Sequence, residues 1–153
     1  MSNIATLTSI KSLAAYLPQD VWQVVEALVH NLPNDVKFAD NLLLYSVAGI
    51  STTKAEIDDD AGARPILIIA QSTGTECYIH FHDLDADNVT AGVDVDFLVP
   101  VAGTSGEVTV LLCLGASWKR FWSTGLTISA STLTETSAAP TNTPNCWVVY
   151  AGS

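Results

Sequence analysis

Basic residues are scarce in this chain. Six Lys and Arg stand against 16 Asp and Glu in 153 residues, for a formal net charge of −10. Phosphate backbones are held by basic patches, so this balance argues against a nucleic-acid partner. It argues equally against electrostatic attachment to an anionic membrane surface. Charge of either sign is thin, at 14% of residues, where ordinary globular domains carry about 25%. No stretch approaches the roughly 18 apolar residues of a membrane span. The N-terminal MSNIATLTSIKSLAAYLP has a single Lys and no long apolar run ahead of a cleavage site, so it does not read as a signal peptide. Cysteine is limited to Cys77, Cys113 and Cys146, far apart, with no CxxC. An odd count cannot all pair within one chain, and free, buried thiols suited to a reducing cytoplasm are the simple reading. GxSxG, the P-loop, GxGxxG and HExxH are all missing, and no internal repeat points to a propeller or solenoid.

What is present is apolar. Hydrophobic residues make up 48% of the chain and mean hydropathy is +0.32, which excludes a disordered segment. The length suits one domain with a real core. So few charges on so apolar a chain suggest that much of its surface is buried against other chains.

Residues 8–32 read as helical. In PQDVWQVVEALVHNLP the positions Val21, Trp22, Val25, Leu28, Val29 and Leu32 form one continuous helical stripe. Pro18 suits the first turn, Asp20 and Glu26 lie toward the N-terminal half where the dipole favours acids, and Pro33 ends the run. A shorter helix from about Ser9 to Leu17 would place Ile10, Leu13 and Leu17 on one face. The stripe fits either a helix packed on its own domain or an arm or collar that packs on neighbouring subunits. LLLYSVA (42–48) is a short apolar run, strand or helix. STTKAEIDDDAGA (51–63) reads as a polar loop or linker with Asp58, Asp59 and Asp60 solvated.

From Arg64 onward the punctuation is that of an all-β domain. PILIIA (65–70) is a buried strand and ECYIHFH (76–82) alternates. In VDVDFLVP (93–100), Val93, Val95, Phe97 and Val99 share a face. EVTVLLCL (107–114) is apolar on both faces, which places it centrally in a sheet or against a second subunit. GLTISAS (125–131) and NCWVVYA (145–151) complete about six strands, with turn residues between them. Between Ser123 and Thr143, 11 of 21 residues are Ser or Thr, a tract suited to exposed strands and unable to build a core alone. The fold class expected is mainly β: an antiparallel β-sandwich or jelly roll with an N-terminal helical segment. Residues 1–50 form the helical arm or collar and 64–153 the β-sandwich domain.

Three groupings could carry chemistry. Asp83, Asp85 and Asp87 have the alternate spacing of a calcium loop, and Asp94 falls where the twelfth ligand would sit. However, Asn88 replaces the usual Gly, the flanks read as strands, and Asp94 is shorter than a bidentate Glu. A solvated acidic turn is the alternative. His80 and His82, i and i+2, share a strand face opposite Ile79 and Phe81. Two imidazoles could clamp a transition metal if a symmetry axis brought in copies, but no third ligand is recognisable. The alternative is the partly exposed polar face of an amphipathic strand, and no metal or other cofactor is expected. His80 or His82 with Asp83 and a serine matches a triad only because serine is so common here. Finally, Trp118-Lys119-Arg120-Phe121-Trp122 is the one basic-aromatic cluster. Strand alternation puts Trp118, Arg120 and Trp122 on one face, for core packing, an interface hot spot or sugar stacking.

Other pieces carry a family likeness. Thr90-Ala91-Gly92-Val93-Asp94, Phe97-Leu98-Val99-Pro100, Gly103, Phe121, Ser123-Thr124-Gly125-Leu126-Thr127-Ile128 and Val148-Val149-Tyr150 follow one another in order. Over about Arg64 to Tyr150 the chain resembles small virion proteins of tailed bacteriophages. It departs from their pattern where Tyr150 follows Val149 directly. The His80-x-His82 pair likewise resembles one by which some trimeric phage spikes hold a metal on their axis. The resemblance implies a non-enzymatic β-sandwich on a phage particle, with no catalytic residues to carry over. The expected role is a capsid decoration or head-fibre subunit, a homotrimer bound to the major capsid or other virion proteins and located in the virion after assembly in the host cytoplasm. The interface residues would be Val21, Trp22, Val25, Leu28, Val29, Trp118, Arg120 and Trp122. The alternative is a tail or fibre module that recognises host surface glycans.

Overall fold

The structure is a computed structural model that describes residues 4–32, 42–58, 63–84, 89, 95–113, 125–134 and 136–152. Among the described residues nine strands form two antiparallel sheets: β1 (Ile4–Thr6), β2 (Leu42–Val47), β3 (Ala55–Asp58), β4 (Arg64–Gln71), β5 (Cys77–His82), β6 (Phe97–Val101), β7 (Val108–Leu112), β8 (Leu126–Ser131) and β9 (Asn145–Ala151). The first sheet has the order β1-β2-β9-β4-β7 and the second β3-β8-β5-β6. From β2 to β9 the chain crosses between sheets at every step except β5 to β6, which is an antiparallel pair within the second sheet. This connectivity is that of the eight-stranded jelly roll, with β1 as an added edge strand.

Alternation builds the inter-sheet core. Cys146, Val148 and Tyr150 of β9 and Ile68 and Ala70 of β4 point inward from the first sheet. Ile57, Cys77, Ile79, Phe81, Val99, Val101, Leu126, Ile128 and Ala130 meet them from the second. Phe81 and Phe97, opposite each other in register, stack at 4.5 Å between centroids.

A second core lies on the other side of the first sheet. Leu42, Leu44, Ile66, Leu67, Ile69, Trp147 and Val149 are covered there by a 3-10 helix (Ile10–Ala15) and by α1 (Gln19–His30). Ile66 and Leu67 are sequence neighbours yet both join this core, because a register shift between Pro65 and Leu67 interrupts the alternation. Val21, Val25 and Val29, at i, i+4 and i+8, are fully buried on the sheet. Pro18 stands at the N-cap rather than inside the first turn. Asp20 Oδ2 accepts a 2.7 Å bond from Gln71 Nε2 at the end of β4.

The stripe is therefore narrower than its periodicity suggests. Trp22 is half-buried and Leu28 is 38% exposed, because a sheet touches one line of a helix rather than its whole apolar arc. The helix packs on its own chain. Strand β2, within the segment expected to be an arm, lies between β1 and β9, so residues 42–47 share a sheet with the β region.

Two other expectations change. The polar segment 51–63 contains β3, where Ile57 is buried in the inter-sheet core. The apolar strand at 108–112 is not central. It is the edge strand β7, and its two apolar faces meet α1's core on one side and the inter-sheet core, through Leu111, on the other. Strand β6 begins at Phe97 rather than Val93, with Val93 and Asp94 outside the described residues.

Candidate functional site

The inward face of the second sheet is hydrocarbon, but the part of its outward face formed by His80 and His82 of β5 and by β8 is polar and also buried. The same alternation that sends Ile79 and Phe81 inward sends His80 and His82 outward on β5. On β8 it turns Thr127, Ser129 and Ser131 outward. In register Ser131 lies opposite Tyr78, Ser129 opposite His80 and Thr127 opposite His82. All five of these His, Ser and Thr side chains are at most 2% exposed. The partly exposed face expected for the histidines is thus corrected, because chain folds back over it.

Burial obliges polar groups to find partners. Thr127 Oγ1 donates to the Leu84 carbonyl at 2.7 Å. His82 Nε2 lies 3.0 Å from Ser129 Oγ. Ser131 Oγ is the hub of the turn that follows β8. It donates to the Thr136 carbonyl at 2.7 Å and accepts from the Leu133 and Ala138 amides at 3.1 and 3.0 Å. The turn then lies over His80, whose Nε2 sits 2.9 Å from the Leu133 carbonyl oxygen. A carbonyl can only accept, so His80 Nε2 carries the proton, and in the neutral ring Nδ1 is a bare lone pair. That atom is buried with no partner. Burial holds the His80 pKa below its ordinary 6.5. The bond to the Leu133 carbonyl opposes this, and His82, 6.2 Å away between ring centroids, adds to it.

Ser129 and His82 have the spacing of a nucleophile and its base. Both are closed off from solvent, so in this conformation the pair is a buried hydrogen bond. Among the described residues no three His, Cys, Asp or Glu are grouped to hold a metal. Asp83 belongs to the neck of the acidic loop: its amide donates to Asp96 Oδ2 at 2.6 Å and its Oδ1 accepts from the Gly125 amide at 3.5 Å. Asp85, Asp87, Asn88 and Asp94 lie outside the described residues, as do Trp118, Arg120 and Trp122. Of the expected interface residues, Val21, Val25 and Val29 are buried within the chain, Trp22 is half-buried and Leu28 is exposed.

The three thiols are free and buried. Burial pushes Cys77 up to about 11 and Cys113 and Cys146 up to about 12, so none is a nucleophile near neutrality. An open groove of about 420 Å³ lies where β5, β6 and β7 meet, lined by Glu76, Tyr78, Pro100, Gly103, Glu107 and Thr109. Sequence reasoning passed over Ser129, Ser131 and the Leu133 carbonyl. A signal for the first two was present, since in Leu126–Ser131 small hydroxyl residues alternate with Leu126, Ile128 and Ala130. Comparison with protein-family models, curated proteins and solved structures finds no match for the chain.

Proposed function

We propose that this chain is a non-enzymatic structural subunit of a bacteriophage particle, a capsid decoration or head-fibre protein that works through contacts between copies and with the shell. The observation that carries the reading is strand β7. It ends the first sheet with β4 on one side and no described strand on the other. Its sequence, VTVLL, has no charge and no proline, and each residue is only half-buried. Monomeric proteins blunt such edges with Lys, Pro or bulges, and an apolar edge without them is a template for pairing with another chain. The jelly roll adds support by analogy of fold, since capsid and lectin domains use it.

The same analogy leaves the glycan-binding alternative as a distinguishable outcome. Sedimentation of the purified chain at micromolar concentration should give an oligomer, expected to be a trimer, and a stable monomer overturns the reading. Cryo-EM of the particle that carries the chain should then show many copies on the shell lattice. A few copies at a tail or fibre tip favour the receptor-binding alternative instead.

A further inference from the structure

Among the described residues each sheet ends in two edge strands, β1 and β7 in the first and β3 and β6 in the second. Three of these edges are blunted. Strand β1 is three residues long. Strand β3 carries Glu56 and Asp58, with a register shift between them. Strand β6 contains Pro100. Short length, charge, irregular register and proline all keep edges from pairing. Strand β7, VTVLL, has neither charge nor proline, and its register with β4 runs unbroken. We propose that β7 pairs antiparallel with β7 of a second copy, about a two-fold axis at Val110, so that two five-stranded sheets run on as one. This rests on the reading of β7 as an assembly edge and names its partner.

The direction of the backbone groups follows from the bonds at the two ends of β7. The Ser72 amide donates to the Glu107 carbonyl and the Cys113 amide to the Ile66 carbonyl, both at 2.9 Å. In an antiparallel ladder each residue turns its N–H and C=O to the same neighbour, and successive residues alternate. Thr109 and Leu111 therefore face β4, opposite Ala70 and Ile68. Val108, Val110 and Leu112 aim their N–H and C=O groups away from the sheet, where no described strand receives them.

This even spacing makes the edge its own complement. Rotation by a half-turn about Val110 sets Val110 opposite Val110 of the partner subunit and Val108 opposite Leu112 of the partner subunit. Each such pair can exchange an N–H···O bond in both directions, and the contact is isologous. The side chains of Val108, Val110 and Leu112 lie on the face that packs with α1, so the facing pairs are aliphatic on aliphatic.

Charge selects both the site and the direction. Two copies of a chain with net charge −10 repel, and an uncharged strand opposes their contact least. Glu107 immediately precedes β7. Parallel pairing would set the two Glu107 side chains side by side, whereas antiparallel pairing puts them at opposite ends of the new ladder. A two-fold contact adds copies in pairs, so a trimer held by other surfaces would join through β7 into a hexamer.

Sedimentation velocity of the full chain and of Val110→Pro at matched micromolar concentrations tests this. Proline at 110 removes an N–H that the β4 ladder does not use, and an edge strand tolerates proline at such a position. The variant should keep the wild-type circular dichroism and lose the two-fold contact, a dimer becoming a monomer or a hexamer a trimer. The Kd of that step should rise at least about tenfold, since main-chain bonds at the centre of the contact are lost from both copies. A folded Val110→Pro protein with unchanged assembly overturns the pairing while leaving assembly through other surfaces intact. A wild-type monomer overturns both the pairing and the reading beneath it. Should the variant unfold, amide exchange of the wild type resolved to single residues decides the matter. The Val108, Val110 and Leu112 amides should be slowed in the oligomer and released on dilution, while those of Thr109 and Leu111 stay slow throughout. Free exchange at Val110 in the concentrated oligomer overturns the proposal and leaves the edge to a strand of a different protein.

Discussion

Truncating Val25 to Ala separates a helix that completes its own domain from one that waits for a partner. Val25 is fully buried between Val21 and Val29, with Leu67, Ile69 and Val149 in the same core. The substitution removes two methyl groups, worth about 1.6 kcal/mol at roughly 0.8 kcal/mol each. A residual cavity adds to this, because a sheet and a helix held by two flanking valines cannot close over the gap, and the sum reaches about 2–3 kcal/mol. Alanine is the better helix former by about 0.5 kcal/mol, which leaves a net loss near 2 kcal/mol. In a domain of this size that lowers Tm by about 4–8 °C. Val24, half exposed on the other side of the same turn, is the control, and Val24→Ala should move Tm by less than about 1 °C. Calorimetry of the isolated protein reads both. A Val25→Ala protein that melts with the wild type would refute the packing of α1 on its own sheet and restore the free arm. The same reasoning sets the outcome of deleting residues 1–33. That removal strips β1 from β2 and bares Leu44, Ile69 and Val149, so the remainder should aggregate.

The remaining predictions concern thiols, acid and one glycine. Cys77, Cys113 and Cys146, all buried and held as thiols, should react with a disulfide reagent only as fast as the chain unfolds, and a rapid full-stoichiometry reaction in buffer contradicts their placement. His80 binds its proton more weakly folded than unfolded, so its contribution to stability is intact above about pH 6.5 and is lost as pH falls from there through its lower folded-state value. Urea titrations from pH 7 to 5.5 should show this decline, and His80→Gln should flatten it. Gly49 has φ +76°, and a Cβ there would meet Thr143 Oγ1 at 2.9 Å, so Gly49→Ala should cost about 1–3 kcal/mol in the same titrations.

The parts of the fold legible in sequence were those with a single dominant period. Six strands from Arg64 onward emerge from alternation and turn residues, and among the described residues there are six there, β4 to β9. The helix was legible from Val21, Val25 and Val29. Strand β1, three residues long, offers too few positions for any period to register. Strand β3 was hidden because Lys54, Glu56 and Asp58 make its sequence look like a loop, although Ile57 is buried in the core and Ala55 packs against it. The histidines illustrate a different limit. Alternation correctly set His80 and His82 on the face opposite Ile79 and Phe81. Whether that face meets water depends on a turn more than 50 residues later reaching back to His80, a contact that no local pattern contains.

The apolar composition takes on a different meaning once the layers are known. From sequence, 48% hydrophobic residues and 14% charged ones imply a surface buried against other chains. The first sheet, however, is covered on both faces by this chain itself, with the second sheet beneath it and the helices above. Strands buried on both faces read as continuous apolar runs, as PILIIA and CWVVY do, without any partner. On the outer face of the second sheet, His80, His82, Thr127, Ser129 and Ser131 are buried as well, with hydroxyls and imidazoles in place of hydrocarbon. Composition and the two-sided character of β7 are thus accounted for within one chain. The case for assembly moves from how much apolar surface there is to where the sheets stop. It rests on an edge strand whose side chains are engaged above and below while its backbone ladder ends at β4. A contact made there joins sheet to sheet through main-chain bonds. It needs no large hydrophobic patch, and the exposed large apolar residues, Ile4, Tyr16, Val24, Leu28 and Leu133, include none from β7.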